Sequence, residues 1–315
     1  KGRIRSCAFS LQTSLAASGG EDGLLNLWDM AGGGEEQSSS SKSSLRQQHG
    51  NLLLSIPSSP SSGAITSSST SATSATSTAS GATSSTLHPA IKSVRFFYVD
   101  RFVAAAHSSQ VTLHRYQIDR EVVHDAQRYQ PKHKHKCLMT HHSDSSVVAL
   151  DCINAFYSPL LLLGTASKRV DVWDAGSNTV VRSMENCHSR AIHSMVCAPA
   201  SPFATHPPAS YDLFLSASVD GVVRMWDLRA DRLCREFKGA HVNRSHTIGV
   251  AWSCDMRYVA VGSEDGSIIA YEAGSGKSIL RISGHRDAVT GLVFDPARPI
   301  LCSASLDGTL NTWTV

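Results

Sequence analysis

Apolar residues recur in a fixed figure along most of this chain: one residue, another three later, and a third two after that. The figure appears as Ile4/Cys7/Phe9, Ile91/Val94/Phe96, Val147/Leu150/Cys152, Ile192/Met195/Cys197, Thr247/Val250/Trp252 and Val289/Leu292/Phe294, with Thr247 the one polar exception. Its last two members are two apart, so they share one face of a strand. A second figure follows in five of the six repeats: "DGLLNLWDM", "SKRVDVWDA", "DGVVRMWDL", "DGSIIAYEA" and "DGTLNTWTV". Counting back from its aromatic residue, the third position is Leu25, Val170, Val223, Ile268 or Leu310. The alternation predicts a strand packed on both faces, with the aromatic on one and the aliphatic residues on the other. Four of these segments open with Asp-Gly, a tight-turn signal. In the remaining repeat, "SSQVTLHRYQ", Tyr116 is expected in the aromatic place.

Between the two figures lies another strand pattern, such as "YVAVG" or "PILCSAS", and after the second comes a fourth, such as "KSILRIS" or "RLCREFK". Each repeat therefore reads as four short antiparallel strands, and the chain as all-β. The turn aspartates set the period: 45 residues from Asp220 to Asp265 and 42 from Asp265 to Asp307. Four strands per period with a recurrent Trp-Asp resemble the WD40-type β-propeller. The resemblance implies six recognisable four-stranded blades, part of a seven-bladed ring. The last repeat stops after its third strand, so an upstream part of the same polypeptide is expected to supply a further blade and the closing strand.

The resemblance also implies a set of four residues inside each blade: a His before the first strand, a hydroxyl in the second, the turn Asp and the Trp. Two repeats carry it in full, as His188, Ser216, Asp220 and Trp226, and as His285, Ser303, Asp307 and Trp313. The first repeat has Ser18, Asp22 and Trp28 without the His; the repeat at Asp265 has Val261 and Tyr271 in place of the hydroxyl and the Trp. In the repeat at Trp173, Ser167 takes the place of the Asp. Ser, His and Asp together also suggest a hydrolase. The recurrence of the set and the absence of a G-x-S-x-G elbow favour a structural role, so no enzyme activity and no cofactor are expected.

A tract from 35 to 86, rich in Ser, Thr, Ala and Gly, interrupts the repeats. It has too few large apolar side chains to offset its conformational entropy and is read as a disordered insertion, dividing propeller segments 1–34 and 87–315. The island "NLLLSI" within it is a strand candidate.

Composition adds limits. Net charge is only +3, which by itself favours neither nucleic acid nor a membrane surface. No apolar run approaches the roughly 20 residues of a membrane-spanning helix. Eight cysteines occur without a C-x-x-C pair, five in or beside apolar runs, as free buried thiols of a reducing compartment do. A cytoplasmic location is expected, with nuclear or ciliary and centrosomal sites as alternatives.

Three local motifs compete with the repeat reading. Gly276-Lys277-Ser278 looks like the end of a phosphate-binding loop, but that loop needs a Gly where Tyr271 stands and a helix where "ILRIS" follows. It is read as a hairpin turn. The segment "RYQPKHKHKCLMTHHSD" gathers His133, His135, Cys137, His141 and His142, but its spacing matches no closed zinc site. It is read as a basic connector. Finally, the loops "CHSRAI", "AHVNRSH" and "GHRDAV" each carry an arginine: Arg190, Arg244 and Arg286. Together they form a candidate interaction rim for an acidic or phosphorylated peptide, with Glu21 and Glu264 as acidic spots on the same end. The function expected is a non-catalytic scaffold binding other proteins; RNA binding through the basic rim is the alternative outside that class.

Overall fold

The computed structural model describes residues 3–11, 13–30, 51–58, 88–119, 133–154, 158–199, 212–295, 298 and 300–314. They form six antiparallel sheets in chain order, five of four strands and a last one of three. The first sheet holds β1 (Ile4–Phe9), β2 (Leu15–Gly20), β3 (Leu24–Asp29) and β4 (Asn51–Pro57). The second holds β5 (Ile91–Phe97), β6 (Phe102–His107), β7 (Gln110–Gln117) and β8 (Lys134–His142). The third holds β9 (Val147–Cys152), β10 (Leu160–Thr165), β11 (Val170–Asp174) and β12 (Thr179–Met184). The fourth holds β13 (Ile192–Cys197), β14 (Leu213–Ser218), β15 (Val222–Asp227) and β16 (Arg232–Lys238). The fifth holds β17 (Val250–Trp252), β18 (Tyr258–Gly262), β19 (Ser267–Glu272) and β20 (Ser278–Ser283). The sixth holds β21 (Val289–Phe294), β22 (Ile300–Ser305) and β23 (Leu310–Thr314).

Within each sheet the strands follow one another as a meander, and successive sheets pack through their first strands. This is a β-propeller, and each sheet is a blade. Its core is divided among the interfaces between blades. Leu25, Leu27 and Ile56 of the first blade meet Ile91, Val94 and Phe96 of the second. Trp173 packs with the second blade while Val170 and Val172 of the same strand face the fourth. Tyr271 faces the fourth blade and Ile268 the sixth. The two faces of the third strand thus pack as the alternation predicts.

The strand candidate "NLLLSI" is a strand, so the tract 35–86 is not disordered throughout, and the segment read as a basic connector is a strand as well. Asn51–Pro57, inside the tract 35–86, is the fourth strand of the first blade, pairing with β3 from Leu24↔Pro57 to Asp29↔Asn51. Its island of Leu and Ile side chains completes a sheet that the surrounding Ser and Thr residues could not. Apart from Ser58, the rest of that tract lies outside the described residues. Lys134–His142 is likewise a strand, β8, paired along β7, and not a connector. Its alternating Lys and His residues suit an outer strand with one face in solvent.

The first and last blades each carry a flank that departs from the repeat. Ile4 is 65% exposed, whereas its counterparts Ile91, Val147, Ile192 and Val289 are fully buried. Cys7, expected inside, is exposed for the same reason. On the sixth blade Leu310 is 70% exposed, whereas Leu25, Val170, Val223 and Ile268 are buried. Among the described residues no core cluster joins the sixth blade to the first.

Candidate functional site

The blade interiors hold the residues with most catalytic potential. In the fourth blade, His188 sits 3.1 Å from Asp220 through Nδ1 and 2.7 Å from Ser216 Oγ through Nε2. Trp226 Nε1 donates to the same Oγ at 2.9 Å. One proton arrangement satisfies every group: Nδ1–H donates to the carboxylate, the serine hydroxyl donates to Nε2, and the indole N–H donates to the serine oxygen. The connectivity is that of a nucleophilic triad, but Ser216 is wholly buried and its oxygen is already occupied. Burial would raise the Asp220 pKa; the bonds from His188, Ser189 and Val222 override it and hold the carboxyl below the ordinary range.

The sixth blade repeats the hub with one change. His285 Nε2 and Trp313 Nε1 meet Ser303 Oγ at 2.7 and 2.8 Å. On the other side, however, His285 Nδ1 contacts Thr309 Oγ1 at 2.8 Å, and Thr309 donates to Asp307 at 2.5 Å. A hydroxyl therefore relays the last link, and the direct His285–Asp307 separation is 3.6 Å. In the first blade Trp28 donates to Ser18 at 2.8 Å, with no His in the network.

The rim arginines are all exposed, each just ahead of the first strand of its blade. Arg190, Arg244 and Arg286 make no side-chain ion pair among the described residues; their loops are instead tied down through the backbone. Glu264 does the tying in the fifth blade. Its Oε1 accepts the N–H groups of Arg244, Ser245 and His246 at 2.8, 2.7 and 2.7 Å. Burial would raise its pKa, yet those three bonds hold it at about 2. Glu264 is thus a loop anchor, its charge spent internally. Glu21 is ion-paired with Arg5 at 2.6 Å.

The first strands of all six blades bound a central channel of about 1250 Å³, counting its open mouths. Low in it, Arg95 Nε meets Asp151 Oδ1 at 2.6 Å, and Asp151 Oδ2 accepts the Cys197 N–H at 2.6 Å. This bond set ties blades two, three and four. Among the described residues no group of three or more His, Cys, Asp or Glu could hold a metal ion, and the histidines of β8 do not converge.

The WD domain, G-beta repeat model matches residues 1–29, 178–227, 233–272 and 276–314, just over half of the chain. The chain belongs to the WD40 family. It is 31% identical to the periodic tryptophan protein 2 homolog of Dictyostelium discoideum over 37% of this chain and 13% of that protein. It is 29% identical to the WD repeat domain-containing protein 83 homolog of the same organism, over 32% of this chain and 30% of that protein. It is also 29% identical to human Striatin-4, over 33% of this chain and 16% of that protein. The chain spans less than a third of the length of each of these relatives.

The second and most of the third WD40 blade fall outside the matched residues, and here sequence reasoning missed functional groups. The pairing Val103↔His114 corresponds to Phe214↔Trp226, so His114 and not Tyr116 takes the aromatic place. His114 Nε2 bonds Thr112 Oγ1 at 3.0 Å. Tyr116, two residues on, bonds the Asp100 carbonyl instead. That carbonyl belongs to a turn in which Tyr98, Val99 and Asp100 all have φ near +55° (55, 54 and 58°), clamped by Asn154 of the third blade. In the third blade Trp173 is fully buried with its N–H unpartnered among the described residues, and Asp171 is ion-paired with Arg169 at 2.8 Å. In the fifth, Tyr271 O–H reaches His241 Nδ1 directly at 2.7 Å. One phenol there replaces the serine–indole pair, a substitution visible in sequence only once His241 is known to be its neighbour.

Proposed function

We propose that this chain is a non-catalytic intracellular scaffold, a WD40 propeller that holds other proteins in a larger complex through its Asp-Gly-turn end. The observation that carries the reading is the division of labour between buried and exposed polar groups. Ser216 and Ser303, with their histidines, are sealed inside blades. The exposed groups on the turn end instead include Arg190, Arg244 and Arg286, suited to an acidic or phosphorylated peptide. Membership of a family of binding propellers supports the same reading. RNA remains the alternative ligand for this rim, distinguished by a steep salt dependence. The stretches "YDLFLSASVDGVVRMWDLR" and "SGHRDAVTGLVFDPARPILCSASLDGTL" resemble the C-terminal region of WD repeat-containing protein 27, and we infer kinship with it.

The test is affinity purification of the full-length protein beside an Arg190→Glu, Arg244→Glu, Arg286→Glu variant. The expected outcome is loss of the bound proteins with the fold intact. Retention of the same partners would sink the rim.

A further inference from the structure

In the second blade an arginine stands where most others carry an acid. His114 takes the aromatic place, so Arg115 falls where Asp29, Asp174, Asp227 and Glu272 stand in blades one, three, four and five. Those acids help to close their own hairpins: Asp174 accepts the Gly176 N–H at 2.7 Å, and Asp227 the Arg229 N–H at 2.9 Å. An arginine has no acceptor to offer, and the second hairpin does not close there. Strands β7 and β8 run on for two further pairs, Tyr116↔His135 and Gln117↔Lys134. At the matching place blades three and four make their last pairs, Asp174↔Thr179 and Asp227↔Arg232. The extension lies at the end of the blade opposite the rim, because the β6–β7 turn is at the other end of β7.

Register fixes how its charges stand. Arg115 is directly opposite Lys136, and Lys134 follows two residues along β8 on the same face. Opposed side chains have Cβ atoms about 5 Å apart, and alternate residues of a strand lie about 7 Å apart. All three side chains are exposed. None of them forms an ion pair among the described residues. Like charges directly opposite one another weaken a strand pair. The hairpin therefore carries a repulsion that no ion pair among the described residues relieves.

The backbone supplies an independent sign. β8 is the outermost strand of its sheet, with β7 on one side and no strand on the other among the described residues. Its outward N–H and C=O groups form an open edge. Lysine on such an edge repels a basic segment, and it repels a second copy of the same edge. It does not repel an acidic one, so the edge is selective and not simply blocked.

We propose that the β8 edge of the second blade takes up an extended acidic segment of another protein as a fifth strand, its carboxylates facing Lys134, Lys136 and Arg115. An added strand puts alternate side chains on one face at the same spacing as Lys134 and Lys136. Main-chain bonds along the edge supply affinity, and the alternate acids supply specificity. A nucleic acid is a poorer match, because its binding depends on neutralising a run of phosphates and this face offers three cations. The site uses none of the three rim arginines and lies at the other end of the blade, so its failure leaves the docking role standing.

The experiment is amide hydrogen exchange of the full-length protein, titrated with three probes: a peptide of alternating Thr and Glu, one of alternating Thr and Lys, and an oligothymidylate. The Thr-Glu peptide is expected to protect, saturably, those β8 amides that β7 leaves unpaired; the Thr-Lys peptide should protect none. Attraction between charges without strand addition would not protect them. A Lys134→Glu, Lys136→Glu variant should weaken the protection by an order of magnitude or more. Glu at 136 would face Arg115 and turn repulsion into attraction, so this variant should unfold at or above the wild-type midpoint. Loss of binding would then not be loss of fold. Protection of β8 that the variant leaves unchanged, no protection of β8, or protection confined to the rim loops would overturn the proposal. So would equal protection by the oligothymidylate, which would make the edge a nucleic-acid site.

Discussion

At the scale of single residues, the same tryptophan is held to different degrees in different blades. Ser216 joins two side chains, the imidazole of His188 and the indole of Trp226, whereas Ser18 has only the indole of Trp28 as a side-chain partner. Ser216→Ala leaves a buried imidazole nitrogen and an indole N–H unsatisfied; Ser18→Ala leaves one N–H. The first should cost about 2–4 kcal/mol and the second about 1 kcal/mol in urea unfolding. Equal costs would show that the hub adds nothing beyond a pairwise bond. His188, Ser216, Asp220 and Trp226 were legible in the sequence because each keeps a fixed place in the repeat. The Thr309 relay was not, because only the fold brings that hydroxyl between His285 and Asp307.

At the scale of the blade, the second one shows how an unusual composition becomes a pH response. Burial lowers the pKa of His107, His135 and His141, and burial with the fields of His135 and His107 takes His114 to about 4. Asp171 and Asp144 act on His141 in the opposite sense, and His142 adds to the lowering. A histidine whose folded pKa lies below its unfolded value near 6.5 favours folding in the neutral form. Its contribution is complete above about pH 6.5. As pH falls toward 4, the unfolded chain takes up the proton first and stability declines. Unfolding midpoints measured from pH 7 to 4 should fall through that window, and His114→Phe should flatten part of the fall. A profile identical in both proteins would show that His114 is not among the groups responsible. The alternation of β7 and β8 was readable in outline, but the aromatic place was misread by two residues. Only the strand register, with Val103 opposite His114, resolves it.

At the scale of the whole molecule, the flanks of the first and sixth blades state what a neighbour would have to be. Ile4 and Leu310 occupy places that are buried in every other blade where the pattern is kept, and both stand open here. We infer that a further blade from the same polypeptide covers them. Leu310→Lys should then be nearly neutral in the chain of 315 residues and destabilising by about 1–3 kcal/mol in a polypeptide extended upstream. Equal effects in the two lengths would remove the case for that blade. Alternation and turn chemistry act over a few residues, so most strands, their fourfold grouping and the faces they bury were legible in the sequence; β8 and the aromatic place of the second blade were not. The tertiary structure decided which distant residues meet: the Arg95–Asp151 pair between the second and third blades, and the capture of residues 244–246 by Glu264. Those contacts join residues about 20 to 60 positions apart, and no local pattern encodes a distance set by the closure of one blade upon the next.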